Sequence, residues 1–208
     1  MLHIETVEPD TLALLKQLMS LKELNHFVLV GGTALSLKFG HRKSVDIDLF
    51  ANRLFDNQEL KDFLLVTYPS FISTSSNQAP GVFGYVNDIK IDFVRYHHYN
   101  YIRPVEVMDG IRFISTEDIA AMKIFAILQR AKKKDFWDLS FLLDKFGLEN
   151  IIKFYFEKFP NNQTLITIPQ AILFFDEAEE DAEPVSLRGQ TWSAVKKNIQ
   201  QHVNIFLK

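Results

Sequence analysis

The sequence contains no cysteine among its 208 residues. This absence excludes disulfide bonds, thiolate metal sites and cysteine nucleophiles, and it is typical of proteins from a reducing compartment. The chain also lacks any uninterrupted apolar run near the ~20 residues that a membrane-spanning helix needs. Its first residues lack the basic and apolar regions of a signal peptide. We therefore expect a cytoplasmic protein that does not associate with a membrane.

A strong excess of charge of one sign is missing as well. The formal net charge is −3, so no global field indicates nucleic-acid binding, and any such surface must be local. The hydrophobic content of 47% in a chain of this length suffices for one domain with a proper core, or for one domain and a small appendage.

The hydrophobic pattern that is present changes along the chain. Strands are predicted at residues 27–31, about 45–50, 82–86, 89–94 and 111–114. Helices are predicted at residues 10–24, with Asp10 or Thr11 as the N-cap, and at 33–39 and 57–67. From Ser115 onward the pattern is helical throughout. We therefore expect an α/β (α+β) fold, with an α/β core over residues 1–114 and a helical part over residues 115–208.

The segment Asp46-Ile47-Asp48 is the most informative part of the sequence. Alternate side chains of a strand share a face, so Asp46 and Asp48 point one way. The apolar residues around them are predicted to point into a core: Val45, Ile47 and Leu49. Two neighbouring carboxylates could simply face solvent on an edge strand, but aspartate is depleted in strands. A divalent cation such as Mg²⁺, which prefers carboxylate oxygens, is the favoured reason for the pair.

A third carboxylate, Asp92, lies in the predicted strand 89–94, which forms a hairpin through Asn87-Asp88. If this strand lies beside the first acidic strand, three carboxylates converge. Such a set is enough to hold two metal ions ~4 Å apart. The alternative is that Asp92 is an exposed hairpin residue.

Three further features are candidates for a functional role. The pair Gly31-Gly32, between a strand and a helix, brings backbone N–H groups to a helix N-terminus, although ordinary turn chemistry explains it as well. Lys123 is a lone charge within an apolar stretch of a predicted helix. Asp135 is explained equally well as a functional acid or as the N-cap of the next helix.

Taken together, these motifs resemble a known superfamily. They are Gly31-Gly32-Thr33, Arg42-x-Ser44-x-Asp46-Ile47-Asp48-Leu49, Lys90-Ile91-Asp92, Glu117 to Lys123, and Arg130-x-Lys132-x-Lys134-Asp135-x-x-Asp138-Leu139. Their order over residues 27–145 resembles the nucleotidyltransferase fold of the DNA polymerase β superfamily, and more closely the AbiEii/AbiGii toxin family of bacterial abortive-infection and toxin–antitoxin systems. The resemblance implies a polymerase-β-like core with a mixed sheet, followed by the helical part.

The same resemblance implies an activity and a set of site residues. It implies an enzyme that binds an NTP, requires Mg²⁺ at a two-metal site and transfers a nucleotidyl group to an acceptor hydroxyl. In related toxins the acceptor is the 3′ end of tRNA, and a cognate antitoxin is expected. By position, Asp46, Asp48 and Asp92 would be the catalytic metal ligands. The implied contacts to the triphosphate are Gly31, Gly32, Thr33, Arg42, Ser44 and Lys123, and the implied acid of the last motif is Asp135.

Two departures from the family pattern stand out. The usual Gly-Ser is Gly-Gly-Thr, which shifts the hydroxyl donor to Thr33, and the usual Arg-Asp of the last motif is Lys134-Asp135, which loses the bidentate fork of arginine.

Two rival functions remain open. One is a transferase acting on a small molecule such as an aminoglycoside, or on a protein side chain. The other is a nucleotide-binding or partner-binding module without catalysis, against which the intact set of three acids argues.

Overall fold

The computed structural model describes residues 1–162 and 166–208. One seven-stranded mixed sheet dominates the first part of the chain, with the strand order β3-β4-β5-β2-β1-β7-β6. The strands are β1 (Val28–Leu29), β2 (Ile47–Ala51), β3 (Ile72–Ser73), β4 (Gly81–Val86), β5 (Ile89–Arg95), β6 (Glu106–Met108) and β7 (Ile111–Phe113).

Helices surround the sheet and make up the second part of the chain. The α-helices are α1 (Pro9–Ser20), α2 (Gly31–Phe39), α3 (Asn57–Thr67), α4 (Thr116–Arg130), α5 (Lys133–Phe146), α6 (Leu148–Lys158), α7 (Ile168–Ile172) and α8 (Trp192–Phe206). Ser115 caps α4 by accepting a hydrogen bond from the backbone N–H of Asp118. The predicted α/β fold with a helical second part is confirmed.

The centre of the sheet sets the two acidic strands side by side. Strands β2 and β5 are parallel, and their register pairs Asp48 directly with Asp92. On the opposite face the alternating residues Ile47, Leu49 and Phe93 are almost fully buried, because a strand with one face in the core presents every second residue to it. The hairpin between β4 and β5 turns at Asn87-Asp88, both with positive φ, which is typical of a two-residue turn.

Several predicted boundaries are wrong in detail. Helix α1 begins at Pro9 after Glu8, and neither Asp10 nor Thr11 is its N-cap, because proline is well suited to the first helical position. Asp46 lies just before β2, and the side chain of Val45 is 63% exposed instead of lying in the core. The short edge strands β3 and β6 were not predicted, since they bury too few residues to give an alternating pattern.

One hydrophobic cluster runs from α1 through the sheet to α8. Its largest fully buried side chains come from both parts of the chain: Trp137, Tyr155, Phe27, Phe93, Phe113, Phe136 and Phe159. The helical part therefore packs on the sheet through apolar side chains, and this packing fixes the walls of the cleft described below. In the part of the chain that the structure describes, no helix is both long enough and apolar enough to cross a membrane.

Candidate active site

A cleft of about 440 Å³ separates one face of the sheet from α4 and the start of α5. Strands β2 and β5 and the residues beside them contribute Asp46, Asp48, Phe50, Lys90, Asp92, Val94 and Tyr96 to its sheet wall. The opposite wall is formed by Ile119, Met122, Lys123, Phe125, Ala126, Gln129, Arg130, Lys134 and Asp135. The structure thus brings the three predicted acids together with Gly31, Lys123 and Asp135 in one cleft.

Asp48 lies at the centre of the acids. It is partly buried and has Asp92 beside it in the register of the sheet and Asp46 two residues before it. Burial, together with the negative charges of Asp92 and Asp46, raises the pKa of Asp48 to about 6. Gly31, at φ +70°, permits this crowding, because a Cβ atom there would lie 2.9 Å from Oδ2 of Asp48.

Two lysines compensate the outer acids. Lys134 Nζ lies 3.2 Å from Oδ2 of Asp46, and Lys90 Nζ lies 2.5 Å from Oδ2 of Asp92. The other carboxylate oxygen of Asp92 is buried and has no hydrogen-bond partner. Among the described residues no lysine, arginine or histidine forms an ion pair with Asp48, so the acidic site keeps an uncompensated negative charge.

The donor set suits a hard divalent cation, although the acids do not surround one point. Within residues 1–162 and 166–208 no group of three His, Cys, Asp or Glu side chains has the geometry of a metal site. The unpaired carboxylate of Asp48 and the free buried oxygen of Asp92 are nevertheless the oxygen ligands that Mg²⁺ prefers. For Asp46 to join them as a ligand through Oδ2, Lys134 must release that oxygen.

Behind the cleft lies a buried network of ions centred on Asp138. Arg42 donates two hydrogen bonds to its carboxylate, at 2.6 Å from Nε and 2.8 Å from a terminal nitrogen. Lys123 Nζ lies 2.6 Å from the same carboxylate, and Nε2 of His41 lies 2.7 Å from it. Although burial alone would raise the pKa of Asp138, Arg42 and Lys123 hold it well below its usual range.

Asp135 joins this network and lines the cleft as well. Its carboxylate accepts hydrogen bonds from Lys123 at 2.8 Å and from Arg130 at 3.0 Å. These cations keep the pKa of Asp135 below its ordinary value against the opposing effect of burial. The N-cap of α5 is Lys132, and Asp135 lies within the first turn of the helix. The choice that the sequence left open is therefore resolved against the N-cap.

Four residues predicted to contact a triphosphate do not line the cleft. Thr33 is only 1% exposed, and its hydroxyl donates to the backbone carbonyl of Asp46 and lies 2.9 Å from the hydroxyl of Ser44. Arg42 is committed to Asp138, and its guanidinium packs so closely on Gly32 that a side chain there has no room. These residues support the glycine turn and the segment that carries Asp46, and their polar groups already have partners.

Several residues of the cleft were missed as candidates from the sequence. Lys90 and Phe50 share strand faces with the acids, so the period of two was the signal that could have found them. Tyr96 and Phe125 come from a loop and a helix, and only the tertiary fold brings them to the same cleft.

Comparison with known proteins agrees with this architecture. A family model described as "Nucleotidyl transferase AbiEii toxin, Type IV TA system" matches residues 13–205. The protein aq_aa25 of Aquifex aeolicus is 32% identical over 203 residues, which cover 93% of this chain and 94% of that protein.

Solved structures share the fold at lower sequence identity. JHP933 from Helicobacter pylori superposes with a TM-score of 0.58 at 18% identity, over 96% of this chain and 92% of that one. MenT4, a nucleotidyltransferase toxin from Mycobacterium tuberculosis H37Rv, gives a TM-score of 0.58 at 13% identity, over 95% and 82%. The antibiotic-resistance factor ANT(2″)-Ia gives 0.52 at 17% identity, over 70% and 89%.

Proposed function

Because this chain belongs to the AbiEii nucleotidyltransferase toxin family, we propose that its cleft transfers a nucleoside monophosphate from an NTP to an acceptor hydroxyl. The observation that carries the proposal is the register pair Asp48 and Asp92 beside Asp46, where two lysines face three carboxylates. Such a site attracts a divalent cation together with the phosphates that accompany it.

We assign Asp46, Asp48 and Asp92 as the ligands of Mg²⁺. When bound, the metal neutralises the charge of the triphosphate and lowers the pKa of the attacking hydroxyl. The acceptor oxygen then forms a bond to the α-phosphorus, the bond from that phosphorus to the bridging oxygen breaks, and pyrophosphate leaves. Asp92 accepts the proton of the acceptor hydroxyl on the carboxylate oxygen that does not hold the metal.

The cations of the cleft receive the triphosphate. Gly31 begins α2 at the cleft wall, so the N-terminus of this helix offers backbone N–H groups to a phosphate. Lys123 and Arg130 line the same cleft and are held by Asp135. Lys134, which is paired with Asp46, would be free to contact a phosphate oxygen if Asp46 held the metal. Most of the rate acceleration then comes from positioning and from charge neutralisation.

The acceptor that we propose is the 3′ end of tRNA, modified in the cytoplasm by a toxin whose cognate antitoxin relieves the effect. The family description as a toxin of a type IV system supports the toxin role. Near the cleft, Arg130, Lys132 and Lys134 expose 45–53% of their side chains and provide a local basic surface. A small-molecule or protein acceptor is the rival, and an aminoglycoside is the small molecule to test.

The test uses each α-labelled NTP with Mg²⁺ and, separately, total tRNA, total protein or an aminoglycoside. We expect label in tRNA, and its loss in Asp46→Ala and Asp48→Ala. Asp62→Ala, which changes an exposed acid on α3, is the matched control and should keep full activity. Label in protein or aminoglycoside alone would overturn the tRNA assignment, and undiminished transfer by Asp48→Ala would overturn the site.

A further inference from the structure

The cleft has a second end whose chemistry the acids do not explain. Along the sheet wall, Phe50 follows Asp48 by two residues, and its register partner Val94 follows Asp92 by two residues. All four side chains share one face, and a step of two residues spans roughly 6.6 Å. The wall thus changes from acidic to apolar within a distance that a ribose ring can bridge.

Aromatic rings continue this apolar end from the sheet to the helices. Consecutive ring centroids lie 5.1 Å apart from Phe50 to Tyr96, 4.8 Å from Tyr96 to Tyr99, 5.0 Å from Tyr99 to Phe159 and 4.9 Å from Phe159 to Phe125. Three of these rings line the cleft: Phe50, Tyr96 and Phe125. We call these three the aromatic end of the cleft.

These three rings are not closed off as core residues are. Each of them is partly exposed, whereas Phe93 and Phe159 nearby are almost fully buried. Met122 and Ala126 of α4 complete the wall without adding charge. An apolar, ring-lined wall that adjoins a phosphate site offers stacking to a flat heterocycle.

We infer that the aromatic end is a nucleobase subsite, an inference that rests on the proposed nucleotidyl transfer. Lys123 and a metal held by the acids would fix the α-phosphate at one end. The ribose then spans the step along β2, and the base stacks among Phe50, Tyr96 and Phe125. Both the base of the NTP and the terminal base of a nucleotide acceptor are flat heterocycles that can stack on these rings. The experiment therefore has an arm for each source.

The first arm measures equilibrium binding without an acceptor. The probes are a non-hydrolysable α,β-methylene NTP and inorganic tripolyphosphate, each with Mg²⁺. We expect Phe50→Leu, Tyr96→Leu and Phe125→Leu each to weaken binding of the nucleotide about 5- to 100-fold, the range that base–aromatic stacking supplies. Binding of tripolyphosphate should not change. Tyr96→Phe, which keeps the ring, should bind the nucleotide more tightly than Tyr96→Leu does.

Phe156→Leu is the matched control, because it changes a half-exposed phenylalanine on α6 that lies outside the cleft. Three substitutions at different elements keep the test decisive if one of them unfolds the protein.

The second arm measures the KM for tRNA and for a non-nucleotide hydroxyl acceptor. Unchanged nucleotide affinity with a raised KM for tRNA alone supports the subsite and assigns the base to the acceptor.

Two results would overturn the subsite while leaving nucleotidyl transfer intact. One is an equal loss of nucleotide and tripolyphosphate binding in all three ring variants. The other is a full set of leucine variants that bind and transfer as the wild type does. A wild-type protein that neither binds the nucleotide nor transfers label would instead overturn the proposed function itself, and the subsite with it.

Discussion

Two groups of aspartates, one in the cleft and one centred behind its helical wall, differ in their balance of charge. We call Asp46, Asp48 and Asp92 the cleft acids. They face two lysines, Lys90 and Lys134, so one carboxylate stays without a counter-ion. The buried network pairs Asp135 and Asp138 with Lys123, Arg42 and Arg130, so three cations serve two carboxylates.

This difference appears directly in the pKa values. Burial and like charges raise the pKa of Asp48 to about 6, whereas arginine and lysine hold the pKa of Asp138 well below its usual range. A carboxylate whose charged form is disfavoured in the folded protein is suited to a cation from outside. A carboxylate whose charged form is satisfied by its neighbours stabilises and positions other residues. We therefore assign the cleft acids to the proposed metal site, and the pair of Asp138 with Arg42 to the support of the fold.

The largest expected effect is the loss of transfer in Asp48→Asn. The amide keeps the shape of the side chain but cannot supply the charge that binds the metal, and metal catalysis contributes several kcal/mol, or roughly 10³-fold in rate. Folding should be retained, since the substitution removes repulsion from Asp46 and Asp92. Labelled-nucleotide transfer measures the activity of the variant, and circular dichroism measures its folding. An inactive variant that is also unfolded would contradict the proposed separation of roles.

Asp138→Asn should have the opposite profile, with stability as the main loss. Removing this carboxylate leaves Arg42 and Lys123 buried without their shared counter-charge, which typically costs about 3–5 kcal/mol. Urea denaturation measures the free energy of unfolding. Asp144→Asn, an exposed acid paired with His202, is the control and should change it by less than about 1 kcal/mol. Full stability together with lost activity would make Asp138 a site acid.

The dependence of stability on pH should separate the two groups further. With its pKa raised to about 6, Asp48 binds its proton more tightly in the folded protein than in the unfolded chain between roughly pH 4 and 6. Wild-type stability therefore loses this contribution as the pH rises through that window. Without Mg²⁺, the free energy of unfolding of Asp48→Asn should rise relative to that of the wild type by up to about 3 kcal/mol between pH 4 and 7.

Denaturation series with a chelator at several pH values measure this difference. Asp62→Asn, which changes an exposed acid on α3, should show no such gain. If the free energies of unfolding of Asp48→Asn and the wild type differed by a constant amount over the whole pH range, the fold would not raise the pKa of Asp48.

The smallest expected effect concerns Lys134, which links the cleft acids to α5. Lys134→Met should raise the KM for NTP about tenfold through the loss of one phosphate contact. It should change stability by less than about 1 kcal/mol, because the pair with Asp46 is partly exposed. Lys134→Arg should restore the KM, since the guanidinium keeps the charge. A KM that is unaffected by the methionine would remove Lys134 from the triphosphate site.

The cleft acids could be predicted from the sequence, and most of the buried network could not. Asp46, Asp48 and Asp92 stand out because strand alternation and local composition are visible within a few residues. The partner of Arg42 is Asp138, which lies 96 positions later in the chain, and no local pattern joins them. The resemblance implies a phosphate contact for Arg42, whereas in the structure its guanidinium is paired with the buried carboxylate of Asp138.

Around the turn at Gly31-Gly32, too, the sequence predicts the secondary structure better than the partners of the polar side chains. The predicted end of α2 at residue 39 is confirmed and follows from local chemistry, because Gly40 caps the helix with φ +63°. The hydroxyl of Thr33 was predicted as a phosphate donor, but it lies against the segment before Asp46. Which of two polar partners a hydroxyl takes depends on the packing of a loop, and composition does not specify that packing.

The most direct test of the contrast between the two groups is the thermal unfolding of the wild type and Asp48→Asn with a non-hydrolysable NTP, as a function of Mg²⁺ concentration. Our account predicts that Mg²⁺ raises the Tm of the wild type by several degrees, because a ligand that binds only the folded state stabilises it. It predicts no such rise for Asp48→Asn. An equal rise in both proteins would contradict the claim that the cleft acids hold the metal.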